Sequence, residues 1–242
     1  MEPAPQGMGE FSRIAGVFFE PKKTFQDIAA RPTFLLPMIL VILFGIVYSV
    51  QIGQRIGWDR VSRHQLEMSS RSQQMTPEQR ESAVAMSVKI ATVAQYAGPI
   101  LGVPIADLVI AGVLLGIVAG IMSAPVKFKQ VFAVTCWAGL PGILFSLLAI
   151  VVMYMKNPDD YNINNPLVFN PGAVMDPQTS SKFVYSLASS LDLFTIWTIL
   201  LLATGLKAAA GKKLSFGGAM FSVLLPWGVV VLCKAAFAGM FS

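Results

Sequence analysis

Three charged side chains, Asp107, Asp192 and Lys234, interrupt long apolar runs. A carboxylate or ammonium held in hydrocarbon is costly unless it pairs, reaches a backbone carbonyl or faces water. The three could line a path for a proton or a cation, with the carboxylates as carriers. They could also form a structural cluster, with Lys234 beside at least one aspartate or the aspartates hydrogen-bonded to neighbouring helices, and this second arrangement is the expected one. Each lies within roughly eight residues of the outer end of its apolar segment, or about 12 Å, so the three are expected at similar depth.

Other chemistry is sparse. The chain has no H-E-x-x-H, G-x-S-x-G, P-loop or G-x-G-x-x-G pattern, and His64 is its one histidine, set among polar residues. Triad and zinc chemistry are therefore disfavoured. Asp107 and Asp192 lack the Tyr-Asp or Gly-x-Gly-Asp settings of an intramembrane aspartyl protease. Cys136 and Cys233 fall in apolar segments without C-x-x-C spacing. The reading is of no catalytic residues, no metal and no cofactor.

The elements that hold the three charges follow from composition. Of 242 residues, 55% are hydrophobic and 13% charged, against about 25% charged in soluble domains, so lipid is the main solvent. Charge-free runs such as Thr33–Ile52 and Val131–Met155 reach the roughly 20 residues that cross about 30 Å of hydrocarbon. They lack period-two alternation, so they read as helices. The fold class is all-α, a polytopic membrane helix bundle with five transmembrane helices, at about 33–52, 99–122, 131–155, 187–206 and 216–240. These make a transmembrane domain, 33–242, after an N-terminal segment, 1–32.

Residues 1–9 are expected to be disordered, without the basic n-region of a signal peptide. Beyond them, Phe11, Ile14, Ala15 and Phe18 follow helical spacing, with Ser12, Arg13, Gly16 and Glu20 opposite. Phe25, Ile28 and Ala29 repeat the pattern after Pro21. Two placements fit these N-terminal amphipathic helices. They could lie in the membrane interface, with Lys22, Lys23 and Arg31 contacting lipid head groups, or they could pack on the bundle.

Residues 53–75 read as a polar, arginine-rich connection. Thr76-Pro77-Glu78-Gln79 then reads as a capping box opening a helix that feeds the second span. The turns Ser123–Gln130 and Lys207–Ser215 hold five Lys and no acidic residue, whereas loop 156–182 has two Lys against Asp159, Asp160 and Asp176. The positive-inside rule places both turns and the N-terminus in the cytoplasm and the C-terminus outside, against the basic character of 53–95. The net charge of +5 suits anionic lipid, not nucleic acid.

Spans two and three superpose in sequence on spans four and five at a constant offset of 85 residues. Asp107 then falls on Asp192, Gly120 on Gly205, Lys127 on Lys212 and Pro141 on Pro226, as in a parallel repeat. Gly112, Gly116 and Gly120 make a small-residue stripe that lets another helix approach. Pro104, Pro141 and Pro226 are expected to kink their spans. Trp137, Trp197 and Trp227 are expected inside the bundle.

Several segments together resemble the Yip family, the Ypt/Rab-interacting membrane proteins, and its bacterial-type members in particular. They are Phe18-Phe19-Glu20-Pro21-Lys22-Lys23-Thr24-Phe25, Phe128-Lys129-Gln130-Val131-Phe132-Ala133 with Leu140-Pro141, Asn157-Pro158-Asp159-Asp160-Tyr161, Asn165-Pro166-Leu167, and Leu191-Asp192-Leu193-Phe194-Thr195-Ile196-Trp197 with Gly205-Leu206. The resemblance implies five spans, a cytoplasmic N-terminus and, for eukaryotic members, vesicle trafficking with prenylated small GTPases. This chain lacks their long N-terminal region, which puts a GTPase partner in doubt. The expected role is that of a non-enzymatic membrane-organising or adaptor protein of the bacterial inner membrane. Its partners would be the bilayer, other membrane proteins or further copies of itself. The alternative is a small-solute or ion transporter using Asp107 and Asp192.

Overall fold

A run of apolar residues without turn chemistry closes its own backbone hydrogen bonds, and each such run here has become a helix. The structure is a computed structural model that describes residues 7–67, 74–176 and 179–240. Helices follow in the order α1 (Glu10–Phe19), α2 (Pro21–Ala30), α3 (Leu35–Arg55), α4 (Trp58–Glu67), α5 (Pro77–Leu115), α6 (Phe128–Ala138), α7 (Pro141–Met155), α8 (Lys182–Ser190), α9 (Leu193–Ala210) and α10 (Phe216–Met240). No strand occurs among the described residues. Residues 1–6, where disorder was expected, lie outside the described part.

Among the described residues, five stretches are long and apolar enough to cross a bilayer: Leu35–Arg55, Pro77–Ile121, Phe128–Met155, Leu193–Lys213 and Phe216–Met240. Their outward residues are large and apolar; Leu35, Ile39, Leu43 and Val47 of α3 recur every four residues and are 39–59% exposed. Such a surface is unfavourable in water and natural against lipid tails. The chain is an all-α integral membrane protein.

Punctuation along the chain explains the breaks. Thr76 accepts the Gln79 N–H at 3.3 Å while Gln79 Oε1 accepts the Thr76 N–H at 2.9 Å, a reciprocal cap that opens α5. That helix runs through Pro99 and Pro104 and continues over Gly116–Ile121 in a wider π turn, where Met122 N–H bonds Ile117 O at 2.9 Å. Ser123 closes it at φ 52°, a left-handed conformation uncommon outside glycine. The third span is broken at Gly139-Leu140 because Pro141 starts a new helix, whereas α10 carries Pro226 inside its length.

Two corrections concern boundaries. The connection 53–75 contains a helix, α4, that its polarity concealed. The expected fourth span, 187–206, is divided, because Lys182–Ser190 forms the separate α8 and the spanning helix starts only at Leu193.

The chain divides into two compact units. The first comprises residues up to Val41, Val103–Ile143 and Leu193–Val230. Its core joins Phe25 and Ile28 of α2 to Val131, Val134 and Trp137 of α6 and Leu206 of α9. Trp197 and Trp227 pack against that core, as expected. Gly205 permits the close approach: a Cβ there would stand 2.3 Å from Val134 Cγ1 and 2.9 Å from Phe25 Cδ1. The second unit comprises Ile42–Gly102, Leu144–Asp192 and the chain from Val231, with a smaller core of Ile52, Ile56, Val61, Met153 and Tyr161.

Candidate functional site

In the first unit, an arginine on α1 is the most deeply buried charge. Arg13 is 2% exposed, although the helical pattern assigned it to the polar side. Its Nε donates to Asp27 Oδ2 at 2.7 Å and its Nη1 to Thr33 Oγ1 at 2.8 Å, while Nη2 reaches the carbonyls of Asp27 and Arg31 at 3.4 and 3.2 Å. The guanidinium also lies 6.0 Å from the Trp137 ring centroid. One planar fork thus reaches two carbonyls at the end of α2, those of Asp27 and Arg31, and fixes the α1–α2 hairpin. Burial works to raise the Asp27 pKa, but hydrogen bonds from Arg31 and Arg13, with the charge of Arg13, hold it below the ordinary carboxylate value.

Packing places the hairpin on the first unit itself. Thr24, Phe25 and Ile28 are fully buried, and Gln130 Nε2 of α6 donates to Ala29 O at the end of α2 at 2.9 Å. The outward side of α1 carries Phe11 and Phe19, 80% and 84% exposed. Arg31 pairs with Asp27, and Lys23 pairs with Glu20 at 3.3 Å; the heads of Lys22 and Lys23 are exposed.

The three charges expected within the spans have different surroundings. Asp107 is half-buried on α5, near the Cys136 thiol of α6. Asp192 does not sit within a span. It is the residue immediately before α9, where a carboxylate complements unpaired amides and the positive end of the helix dipole. Lys234 is exposed on α10 and donates to Ser190 Oγ at 3.4 Å, two residues from Asp192. Ser190 in turn donates to Ser186 O at 2.7 Å. The hydroxyls of Ser186 and Ser189 are buried with no hydrogen-bond partner among the described residues.

Gly112, Gly116 and Gly120 present their stripe to the surroundings: a Cβ at any of them would meet nothing within 4 Å. The expected neighbouring helix is not supplied by the described residues of this chain. Gly205, the sequence counterpart of Gly120, is the glycine that a neighbouring helix approaches.

In the second unit, α4 and residues 158–164 bound a pocket of about 380 Å³, lined by Arg60, Arg63, His64, Asp159, Tyr161 and Asn162 among others. Arg60 pairs with Asp159 at 3.1 Å, and Arg63 bridges Asp59 and Glu81 at 2.8 and 2.7 Å. Beneath it, Tyr161 is 6% exposed, sharing a 3.1 Å hydrogen bond with Tyr48 and donating to Ala149 O at 3.3 Å. Burial first, then the Tyr48 hydrogen bond, push its phenol pKa well up. The loop is closed further on by a reciprocal amide pair, Asn165 to Asn170 at 3.1 and 2.7 Å. No group of three or more His, Cys, Asp or Glu among the described residues could hold a metal ion.

The fold and these sites can be set against known proteins. The model of the Yip1 domain matches residues 15–237, nearly the whole chain. The chain belongs to the Yip1 family. It is also 25% identical over 222 residues to the membrane protein YknW of Bacillus subtilis (strain 168), covering 90% of this chain and 87% of that one. No solved structure matches. The Yip1 match takes in α2, Tyr161 and the Asp192 junction but begins just after Arg13.

Neither Arg13 nor Tyr161 was reached from residue type alone. For Arg13 a signal existed, the one basic residue of a largely apolar helix, one turn before Gly16. Tyr161 entered only through the segment Asn157–Tyr161 that carried the family resemblance.

Proposed function

We propose that this Yip1 family chain is a non-enzymatic membrane-organising or adaptor protein of the bacterial inner membrane, acting through helix contacts, with its N-terminus in the cytoplasm. The observation that supports the reading lies on α5. Opposite Gln95, α3 is already ending: a Cβ on Gly53 would stand 3.0 Å from Gln95 Oε1, and Trp58 Nε1 donates to the same oxygen at 3.1 Å. Residues 77–94 therefore extend beyond the end of α3 by about 27 Å of helix.

On one side this extension meets α4 through the Arg63–Glu81 pair, and Val84 is buried. The other side carries Met86, Ile90 and Val93, 56–67% exposed, at the i, i+4, i+7 spacing of a helix-binding stripe. An apolar stripe past the polar end of a neighbouring span suits a protein partner better than lipid.

The test is Ile90→Cys in a Cys233→Ser background, cross-linked in native membranes. A discrete adduct to a second copy or to one membrane protein, lost on adding Met86→Asp, is the expected result. Its absence, together with solute flux in liposomes that depends on Asp107 or Asp192, would overturn the reading in favour of transport. That second reading draws support from the buried hydroxyls of Ser186 and Ser189 beside the Lys234–Ser190 contact.

A further inference from the structure

We propose that the α1–α2 hairpin, together with the turns that precede α6 and α10, forms one binding face for anionic phospholipid, with Phe11 and Phe19 entering the acyl boundary. Packing brings the parts together. The end of α2 is tied to the start of α6 by the Gln130–Ala29 hydrogen bond, and Phe25 lies against Gly205 near the end of α9. Lys22 and Lys23 at the start of α2, Lys127 and Lys129 around the start of α6, and Lys212 and Lys213 just past α9 thus belong to one assembly inside the first unit.

Charge selects the occupant. The acids of this region are largely engaged internally: Asp27 holds Arg13 and Arg31, and Glu20 pairs with Lys23. The heads of Lys22, Lys127, Lys129, Lys212 and Lys213 remain exposed. Lys207 is spent otherwise, donating to Gly211 O at 2.6 Å at the end of α9. An anion is the complement of that set, and a cation or a neutral polar solute is not.

Aromatic exposure selects lipid among anions. Phe11 and Phe19, with Ala15 between them at i, i+4, i+8, form the outward stripe of α1, and Phe128 is 43% exposed between Lys127 and Lys129. A soluble phosphate has no use for exposed phenyl rings, whereas a phospholipid offers a phosphate and an acyl boundary a few ångströms apart. The Arg13 clasp holds the stripe outward, because the opposite side of α1 is committed: a Cβ at Gly16 would stand 2.3 Å from Thr24 Oγ1. The hairpin is thereby fixed as a rigid shelf, so lipid binding needs no folding step.

The experiment uses the full chain in detergent, titrated with phosphatidylglycerol, phosphatidylcholine or inorganic phosphate and read by native mass spectrometry. Phosphatidylglycerol is expected to be retained in preference to phosphatidylcholine and not to be displaced by millimolar phosphate. With about fivefold expected per membrane-facing lysine, Lys22→Gln/Lys23→Gln/Lys127→Gln/Lys129→Gln should lower the preference by two orders of magnitude or more. The matching Lys→Arg set should restore it, and Phe11→Ser/Phe19→Ser should weaken retention of both lipids. Equal retention of the two lipids by the native chain, an unchanged preference in the Gln set, or displacement by phosphate would each overturn the proposal.

Discussion

Arg13 and Asp27 meet across the α1–α2 turn, with the guanidinium Nε and Nη2 both 2.7 Å from the same carboxylate oxygen and the arginine almost wholly removed from its surroundings. Removing the arginine leaves Asp27 to Arg31 alone and takes a donor from Thr33 and from the Arg31 carbonyl, so the cost falls below the about 3–5 kcal/mol of a buried charge left wholly unpaired. Arg13→Ala should therefore free the hairpin, seen as faster proteolysis within residues 10–31 and a lower melting temperature in detergent. Arg13→Lys keeps the charge but loses the fork, and should fall between.

The same pair sets a pH window. Asp27 is held below its unfolded value, near 3.9 for aspartate. Its contribution is fully present above that value and is lost as pH falls through the lower folded value. Hairpin protection should be flat from pH 8 to pH 5 and decline only below about pH 4. A decline centred near pH 6 would exclude Asp27 as the controlling group.

Gly205 tolerates no side chain. Gly205→Ala would press on Val134 and Phe25, and overpacking of this kind costs about 1–3 kcal/mol. Gly116→Ala, in open space, should leave the melting temperature of the isolated chain unchanged. The two variants, measured side by side in detergent, separate close packing within the chain from a surface that the chain leaves open.

Tyr161→Phe removes the hydrogen bonds to Tyr48 and Ala149 while keeping the ring. The expected loss is about 1–3 kcal/mol, because buried polar groups are left unpaired. Limited proteolysis between residues 156 and 176 is the readout, and Tyr48→Phe should have a smaller effect, because the Ala149 contact survives.

Hydropathy carried most of the fold to the surface of the sequence. Charge-free runs gave the spans, and Thr76 with Gln79 announced the start of α5, because a reciprocal cap needs only local chemistry. What stayed hidden depended on partners distant in sequence. Arg13 reads as polar until Asp27, Thr33 and Trp137 gather around it, 14 or more residues away. Asp192 reads as intramembrane until Ser189-Ser190-Leu191 ends one helix and the aspartate starts the next. The helix at Trp58–Glu67 stayed hidden because its apolar residues are only Trp58, Val61 and Leu66. Pro104 suggested a kinked span, and α5 carries it, with Pro99, inside one continuous helix.

Apart from the Arg60–Asp159 pair near its start, the strap that follows α7 is fastened by neutral groups, two phenols and two carboxamides. Such fastenings have no charge to screen and nothing to titrate between acid and neutral. Added salt or a fall in pH would leave that part of the segment in shape while ion-fastened surfaces nearby loosened.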